Sequence, residues 1–231
     1  MPWLHELNWP GIAGGFIGRC IAHEREEAID RALARMNSSR VLVQAEQVHG
    51  GDVATIAQGM LDDGGPIVVP GVDGLVTDSP SAALVIYVAD CLAVYLADPE
   101  GRGVGLAHAG WRGLVSDIPG ALVAALGELS AAAPGDLQAA LSPCIGSCCF
   151  EVGEEVATQF DHIGGAVDHS RDKPHVDMVA VATAQLRAAG VREDRIEAMT
   201  GCTRCDPERF ASYRWDPQRC GRNMAIIGLD P

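Results

Sequence analysis

Apolar and polar positions along this chain follow two periods, and the switches between them mark the elements. Residues 24–36 place Ala28, Ile29, Leu33 and Met36 at helical spacing with charges on the other face, which predicts an amphipathic helix. Strands are expected over residues 40–45 and 52–57, with Gln47-Val48-His49-Gly50 between them. Residues 83–97 read ALVIYVADCLAVYLA, an apolar run that only Asp90 and Cys91 interrupt. Its β-branched and aromatic content, and the Asp98-Pro99-Glu100-Gly101 turn that closes it, favour strands over a buried helix. The next expected strand, residues 103–107, delivers His108, and a hairpin at 98–103 would bring Cys91 and His108 close.

A helix is expected after Gly113 to about residue 133, then a strand over 136–141 and a helix over 153–160. Residues 176–189 have helix-forming composition and stop at Gly190, a left-handed cap. Late strands are expected over 195–200 and 223–229. The opening segment, to about Arg19, reads as irregular, and the Asp/Gly/Pro cluster at 62–74 as a turn-rich connection. Mixed strands and helices without strict alternation point to an α/β or α+β layered sandwich, read as one domain over residues 1–231.

Composition narrows the partners. The 231 residues are 48% hydrophobic, ample for a core, and the net charge of -14 comes without any Lys/Arg-rich run. Nucleic acid and anionic membrane surfaces are therefore not expected partners, whereas small anions remain open to a local arginine or helix start. No leader-like segment or membrane-length apolar run is visible, so a cytoplasmic location is expected. Eight cysteines, several inside apolar segments, suit reduced thiols or metal ligands better than a disulfide framework.

The chemistry gathers around VGLAHAGWRGL, residues 104–114. His108 ends a strand just before a Gly-flanked Trp-Arg pair, a corner that can turn a side chain and backbone N–H groups toward one cavity. His49, Cys91 and His108 together offer two imidazoles and a thiolate, a donor set for Zn²⁺ that keeps a fourth position open. The spacing alone leaves a second reading, two hydrogen-bonded histidines and a buried apolar cysteine, because no short CxxC or HExxH pattern links them. Asp90 either orients a ligand or shuttles a proton, or is structural and points away from Cys91. Arg112, with the backbone of Gly110 to Gly113, either holds an anion or is a surface residue. Trp111 and Tyr213 offer stacking faces or core packing. Cys202-Thr203-Arg204-Cys205 is a lone CxxC; Cys148 and Cys149 read as packing residues, and His162, His169 and His175 as exposed.

Eight ordered blocks resemble one family: QVHG (47–50), VDGLVTD (72–78), ADC (89–91), HAGWRGL (108–114), SPCIGSCCFEVG (142–153), CT (202–203), SYRWD (212–216) and GR (221–222). They are similar to the laccase-domain purine nucleoside phosphorylases, historically named polyphenol oxidases. The resemblance implies a mixed-sheet α/β/β/α sandwich and a zinc site whose ligands match His49, Cys91 and His108. It also implies phosphorolysis of adenosine, inosine, guanosine and methylthioadenosine, with adenosine deamination as a second activity. Purine nucleoside and phosphate are then the expected partners, with Cys91, His108, Asp90 and Arg112 as catalytic candidates and Arg19, Arg112 and Arg222 as substrate contacts; Arg214 is a further late arginine. Copper loading could support weak phenol oxidation. Departures from the family pattern, a short GGFIGR loop (14–19), SPCIG, and Trp215 in place of a second arginine, bear on substrate preference. Rival readings are a Cys91/His108 hydrolase, an editor of peptidoglycan precursors, and a binding module without turnover.

Overall fold

The computed structural model describes residues 5–20, 24–36, 40–62 and 64–230; the expected irregular opening lies partly outside these, in residues 1–4. Fourteen strands are described: β1 (His5–Glu6), β2 (Ile12–Cys20), β3 (Val41–Ala45), β4 (Val53–Ile56), β5 (Ile67–Val69), β6 (Gly74–Thr77), β7 (Ala82–Val88), β8 (Leu92–Ala97), β9 (Val104–Ala109), β10 (Gln138–Leu141), β11 (Val167–Asp168), β12 (His175–Val176), β13 (Ile196–Ala198) and β14 (Arg222–Leu229). The helices are α1 (Arg25–Arg35), α2 (Trp111–Val115), α3 (Ile118–Ser130), α4 (Glu154–Ala157) and α5 (Met178–Ala188).

Two mixed six-stranded sheets result, ordered β1-β2-β14-β7-β3-β5 and β13-β10-β8-β9-β6-β4, with β11 and β12 as a separate pair. Period-two alternation sorts the apolar side chains into layers. Leu84, Ile86, Ala225 and Ile227 of the first sheet share a cluster with Tyr95 and Leu106 of the second, so this is the layer between the sheets. Val85, Met224 and Ile226 face the other way, onto Ala32 and Met36 at the α1 end. Val94, Leu96 and Val76 face outward from the second sheet onto Leu122, Leu126, Val181 and Leu186 of α3 and α5. The expected α/β/β/α layering is therefore present.

Chain path decides where the chemistry goes. From β3 to β8 the chain changes sheet at every step. Because β3, β5 and β7 run parallel, their crossovers into the second sheet leave from one end of the sandwich. These crossovers carry His49, Asp73 and Cys91. The β8–β9 hairpin pairs Ala93 with His108, so the end of β9 arrives at the same place, as the 98–103 turn predicts.

Three expectations are corrected. The opening segment is a strand, not irregular: β2 pairs along β14, and Gly14 is needed because a Cβ there would lie 2.6 Å from the Ile226 carbonyl. Its glycines lower strand propensity, which hides it in the sequence. The single helix expected after Gly113 is two helices, broken at Asp117, whose φ is 54° and whose side chain accepts from Gly120 N–H to cap α3. The turn-rich 62–74 stretch contains the short strand β5.

Asn223 locks β14 to the loop before it. Its fully buried amide accepts from Ala211 N–H at 2.8 Å and donates to the Ala211 carbonyl at 2.9 Å. Asn223→Ala removes both bonds and strands two backbone groups, so urea unfolding should show a loss of about 2 kcal/mol or more.

Candidate metal centre

His49, Cys91 and His108 meet with their ligand atoms all within 4.8 Å of one another. Burial rises from exposed His49 through half-buried Cys91 to His108 at 3%, so the cluster opens on one side. The two imidazoles stand edge to face, ring centroids 4.8 Å apart. Backbone strain accompanies this convergence: His49 has φ 65° and Asp90 φ 86°, left-handed values that non-glycine residues adopt at a cost of order 1–3 kcal/mol.

The residue that organises the cluster is one that sequence reading passed over. Asp73, fully buried, accepts from His49 N–H at 2.9 Å and from Gly50 N–H at 2.7 Å. Its Oδ1 also lies 2.7 Å from His108 Nδ1. A carboxylate can only accept, so Nδ1 carries a proton, and once the ring is neutral Nε2 is the nitrogen left to offer a lone pair. This carboxylate–histidine pairing is the usual support of a metal-bound imidazole. The available signal was an acid just ahead of an apolar strand, within VDGLVTD.

Electrostatics follow from the same contacts. Burial opposes ionisation of Asp73, yet the His108 side chain and the Gly50 and His49 amides hold its carboxyl below the usual range. Burial likewise opposes the Cys91 thiolate, but hydrogen bonds from His108 and His49 outweigh it and bring the thiol down to about 7. His108 is pushed up to about 9: burial lowers it, and the bonds to Asp73 and Cys91 prevail. Among the protein groups alone the cluster favours a thiolate, the ligating form of cysteine.

Gly110 completes the enclosure. A Cβ at that position would stand 3.1 Å from Cys91 Sγ and 3.4 Å from His49 Cδ2, so any other side chain would press on the donors and push them aside by a few tenths of an ångström. Gly113 does the same against the Gly50 carbonyl, 3.0 Å from an added Cβ. The HAGWRGL corner is thus shaped by close approach to the cluster.

The donors lie in the wall of a cavity of about 980 Å³. Tyr87, Phe150 and Tyr213 give it aromatic faces, and the positive charge of Arg214, Arg219 and Arg222 faces the carboxylates of Glu46 and Asp90. Arg222, expected from the sequence as a substrate contact, lines this cavity, and Arg219, which was not foreseen, lines it too. Arg112 is elsewhere: its guanidinium lies 4.3 Å from the Trp111 ring centroid, and neither residue lines the cavity. Arg19 lines a separate small hollow beside Trp215 and donates to the Pro207 carbonyl at 3.2 Å. Asp90 lines the cavity with both oxygens engaged, accepting from Thr203 Oγ1 at 2.6 Å and Arg214 N–H at 2.7 Å. It joins the β7–β8 crossover to two later loops. His162 and His169 are exposed, whereas His175 is buried at 9% in the β11–β12 pair, contrary to expectation.

Residues 19–230 match the family model described as multi-copper polyphenol oxidoreductase laccase. The chain belongs to this laccase-domain family. It is 40% identical over 228 residues to a purine nucleoside phosphorylase of Xylella fastidiosa strain 9a5c, covering 96% of this chain and 84% of that one. It is 35% identical to the purine nucleoside phosphorylase YlmD of Geobacillus stearothermophilus, covering 80% and 71%. The fold of this chain superposes on the crystal structure of Geobacillus stearothermophilus YlmD with a TM-score of 0.82 at 29% identity, covering 96% and 93% of the chains. That of Bacillus licheniformis YfiH gives 0.80 at 27% identity, covering 96% and 94%. Among the described residues, no helix is long and apolar enough to cross a membrane.

Asp73→Asn keeps the shape but sets an amide against the His49 and Gly50 N–H donors. Metal affinity should fall about 10- to 100-fold in chelator competition. In the unaltered protein the affinity should also fall as pH drops, first through about 9, where His108 takes up a proton that the metal must displace, and more steeply through about 7, where Cys91 does the same.

Proposed function

We propose that this protein is a zinc-dependent purine nucleoside phosphorylase. One observation carries the reading: a cluster of two histidines and a cysteine shares a cavity with three arginines and three aromatic rings, in a chain of net charge -14. An anion and a planar base are what such a cavity suits, and the relatives named purine nucleoside phosphorylases supply the reaction class.

The donor set fits zinc. Two imidazoles and one thiolate are borderline-to-soft ligands, and three protein ligands are the number that catalytic zinc sites use. A blue copper centre would add an axial thioether, and a multicopper oxidase many more histidines; among the described residues no methionine lines the cavity, and its histidines are His49 and His108. When bound, zinc would supply Lewis-acid stabilisation of negative charge on an oxygen.

The remaining roles belong to side chains. Arg222, with Arg214 and Arg219, would hold phosphate by charge-assisted hydrogen bonds. Tyr213, Phe150 and Tyr87 would receive the purine by stacking. A phosphate oxygen then attacks the anomeric carbon of the ribose, the glycosidic C–N bond breaks, and the purine departs with the bonding electrons and gains a proton. Holding nucleoside and phosphate together in line converts this into a unimolecular step. Asp73 acts through His108, and Asp90 through the Arg214 backbone and Thr203, as positioning residues. Adenosine deamination, in which water adds to C6 of the purine and the C6–N bond breaks to release ammonia, would use the same cavity.

Purified protein should release hypoxanthine from inosine only when phosphate is present and metal is retained. Cys91→Ala should lower this rate about a thousandfold, the several kcal/mol that Lewis-acid stabilisation supplies. Turnover that survives chelation would instead favour the Cys91/His108 hydrolase, and metal retention without nucleoside turnover would favour cell-wall precursors or a binding role. Arg222→Gln should raise the phosphate KM about tenfold or more, as loss of a charged hydrogen bond predicts.

A further inference from the structure

A second cluster lies outside the catalytic cavity's metal donors. Cys148, Cys149, Cys202 and Cys205 bring their four sulfurs within 4.8 Å of one another. The Cys149 and Cys205 sulfurs lie 3.4 Å apart, and those of Cys148 and Cys205 3.7 Å. Disulfide sulfurs lie about 2.05 Å apart, so these are four free thiols. Around one tetrahedral zinc with Zn–S bonds of 2.3 Å, sulfurs stand about 3.8 Å apart, within the spread seen here. They are too close together to enclose a multi-iron cluster.

The fold explains the meeting. β10 and β13 are parallel neighbours, Leu141 opposite Ala198, so the loops that follow them leave the sheet side by side. Cys144 and Cys202 form a β-bridge, and Thr203 N–H donates to the Cys144 carbonyl at 2.9 Å. The Cys202–Cys205 turn closes by Cys205 N–H donating to the Cys202 carbonyl at 3.1 Å, and Gly146 N–H reaches Cys202 Sγ at 3.2 Å. Amide-to-sulfur bonds of this kind stabilise thiolates. Arg204 Nη1 stands 3.6 Å from Cys149 Sγ, where its charge offsets the net -2 of a zinc tetrathiolate.

We propose that Cys148, Cys149, Cys202 and Cys205 form a second, structural zinc site that clamps the loop after β10 to the loop after β13. The clamp bears on the catalytic cavity by position. The first loop carries Ile145 and Phe150 into its wall, and the second carries Thr203, which holds Asp90. A four-thiolate site is closed to substrate, so its role is to hold these loops.

The test needs no nucleoside activity and separates the two sites. Purified protein should hold about two zinc ions per chain, and Cys91→Ser about one. X-ray absorption on the Cys91→Ser protein should show that remaining zinc bound by four sulfurs. The double substitution Cys148→Ser, Cys205→Ser, at exposed positions, should also leave one zinc, now with nitrogen and sulfur ligands. Hydrogen exchange in that variant should rise over residues 144–152 and 200–206, with circular dichroism otherwise unchanged. Cobalt(II) added to metal-free native protein should give the intense thiolate bands of a tetrahedral sulfur site. No tight metal in folded Cys91→Ser, a mononuclear iron in place of zinc, or a mass deficit showing a disulfide among the four would each overturn the proposal.

Discussion

The Asp73 carboxylate is the constraint on which the rest of the site depends. One buried group receives the amides of His49 and Gly50 and the Nδ1–H of His108, so it fixes a backbone turn and a ring with the same two oxygens. Breaking either part would leave a charge buried with too few partners, which is why both histidines are held so firmly. His108 is further pinned through its own N–H, which donates to the Asp73 carbonyl at 2.8 Å. The positive φ at His49 is sustained by this pairing.

That carboxylate can act only because of the way the chain threads the two sheets. Successive crossovers between parallel strands of one sheet and the strands of the other deposit His49, Asp73 and Cys91 at one end of the sandwich. The β8–β9 hairpin adds His108, and the parallel β10–β13 pair adds the two cysteine loops beside them. The apolar layer between the sheets makes this end rigid, with Tyr95 fully buried and its hydroxyl donating to the Gly15 carbonyl at 2.9 Å. Site geometry is best held on such a frame.

How much of this could be read from the sequence varied with how local its cause is. The runs around β7, β8 and β9 were legible because burial on both faces leaves an unbroken apolar signature, and the Asp-Pro-Glu-Gly turn fixed the hairpin that joins Cys91 to His108. β2 was hidden because three of its nine residues are glycines, which lower strand propensity; one of them, Gly14, is required by close approach to β14. The break at Asp117 was missed although Asp117-Ile118-Pro119 carries a cap and a helix-start proline. Arg112 and Asp73 show the limit of motif reading. A distinctive motif drew attention to Arg112, which stacks on Trp111 away from the cavity, while Asp73 gives no local sign that it will meet His108, 35 residues later. The cysteine pairs 148–149 and 202–205 could not be joined in the sequence, since only the β10–β13 register brings them together.

The global charge and the local arginines pull in opposite directions. A chain of net charge -14 repels anions at long range, yet Arg214, Arg219 and Arg222 face one cavity beside the metal donors. Phosphate as co-substrate is therefore the most exposed element of the account. Phosphorus NMR of the zinc-loaded protein turning over inosine in phosphate buffer tests it most directly. A sugar-phosphate resonance should grow in step with hypoxanthine while inorganic phosphate declines; free ribose with inorganic phosphate unchanged would contradict phosphorolysis.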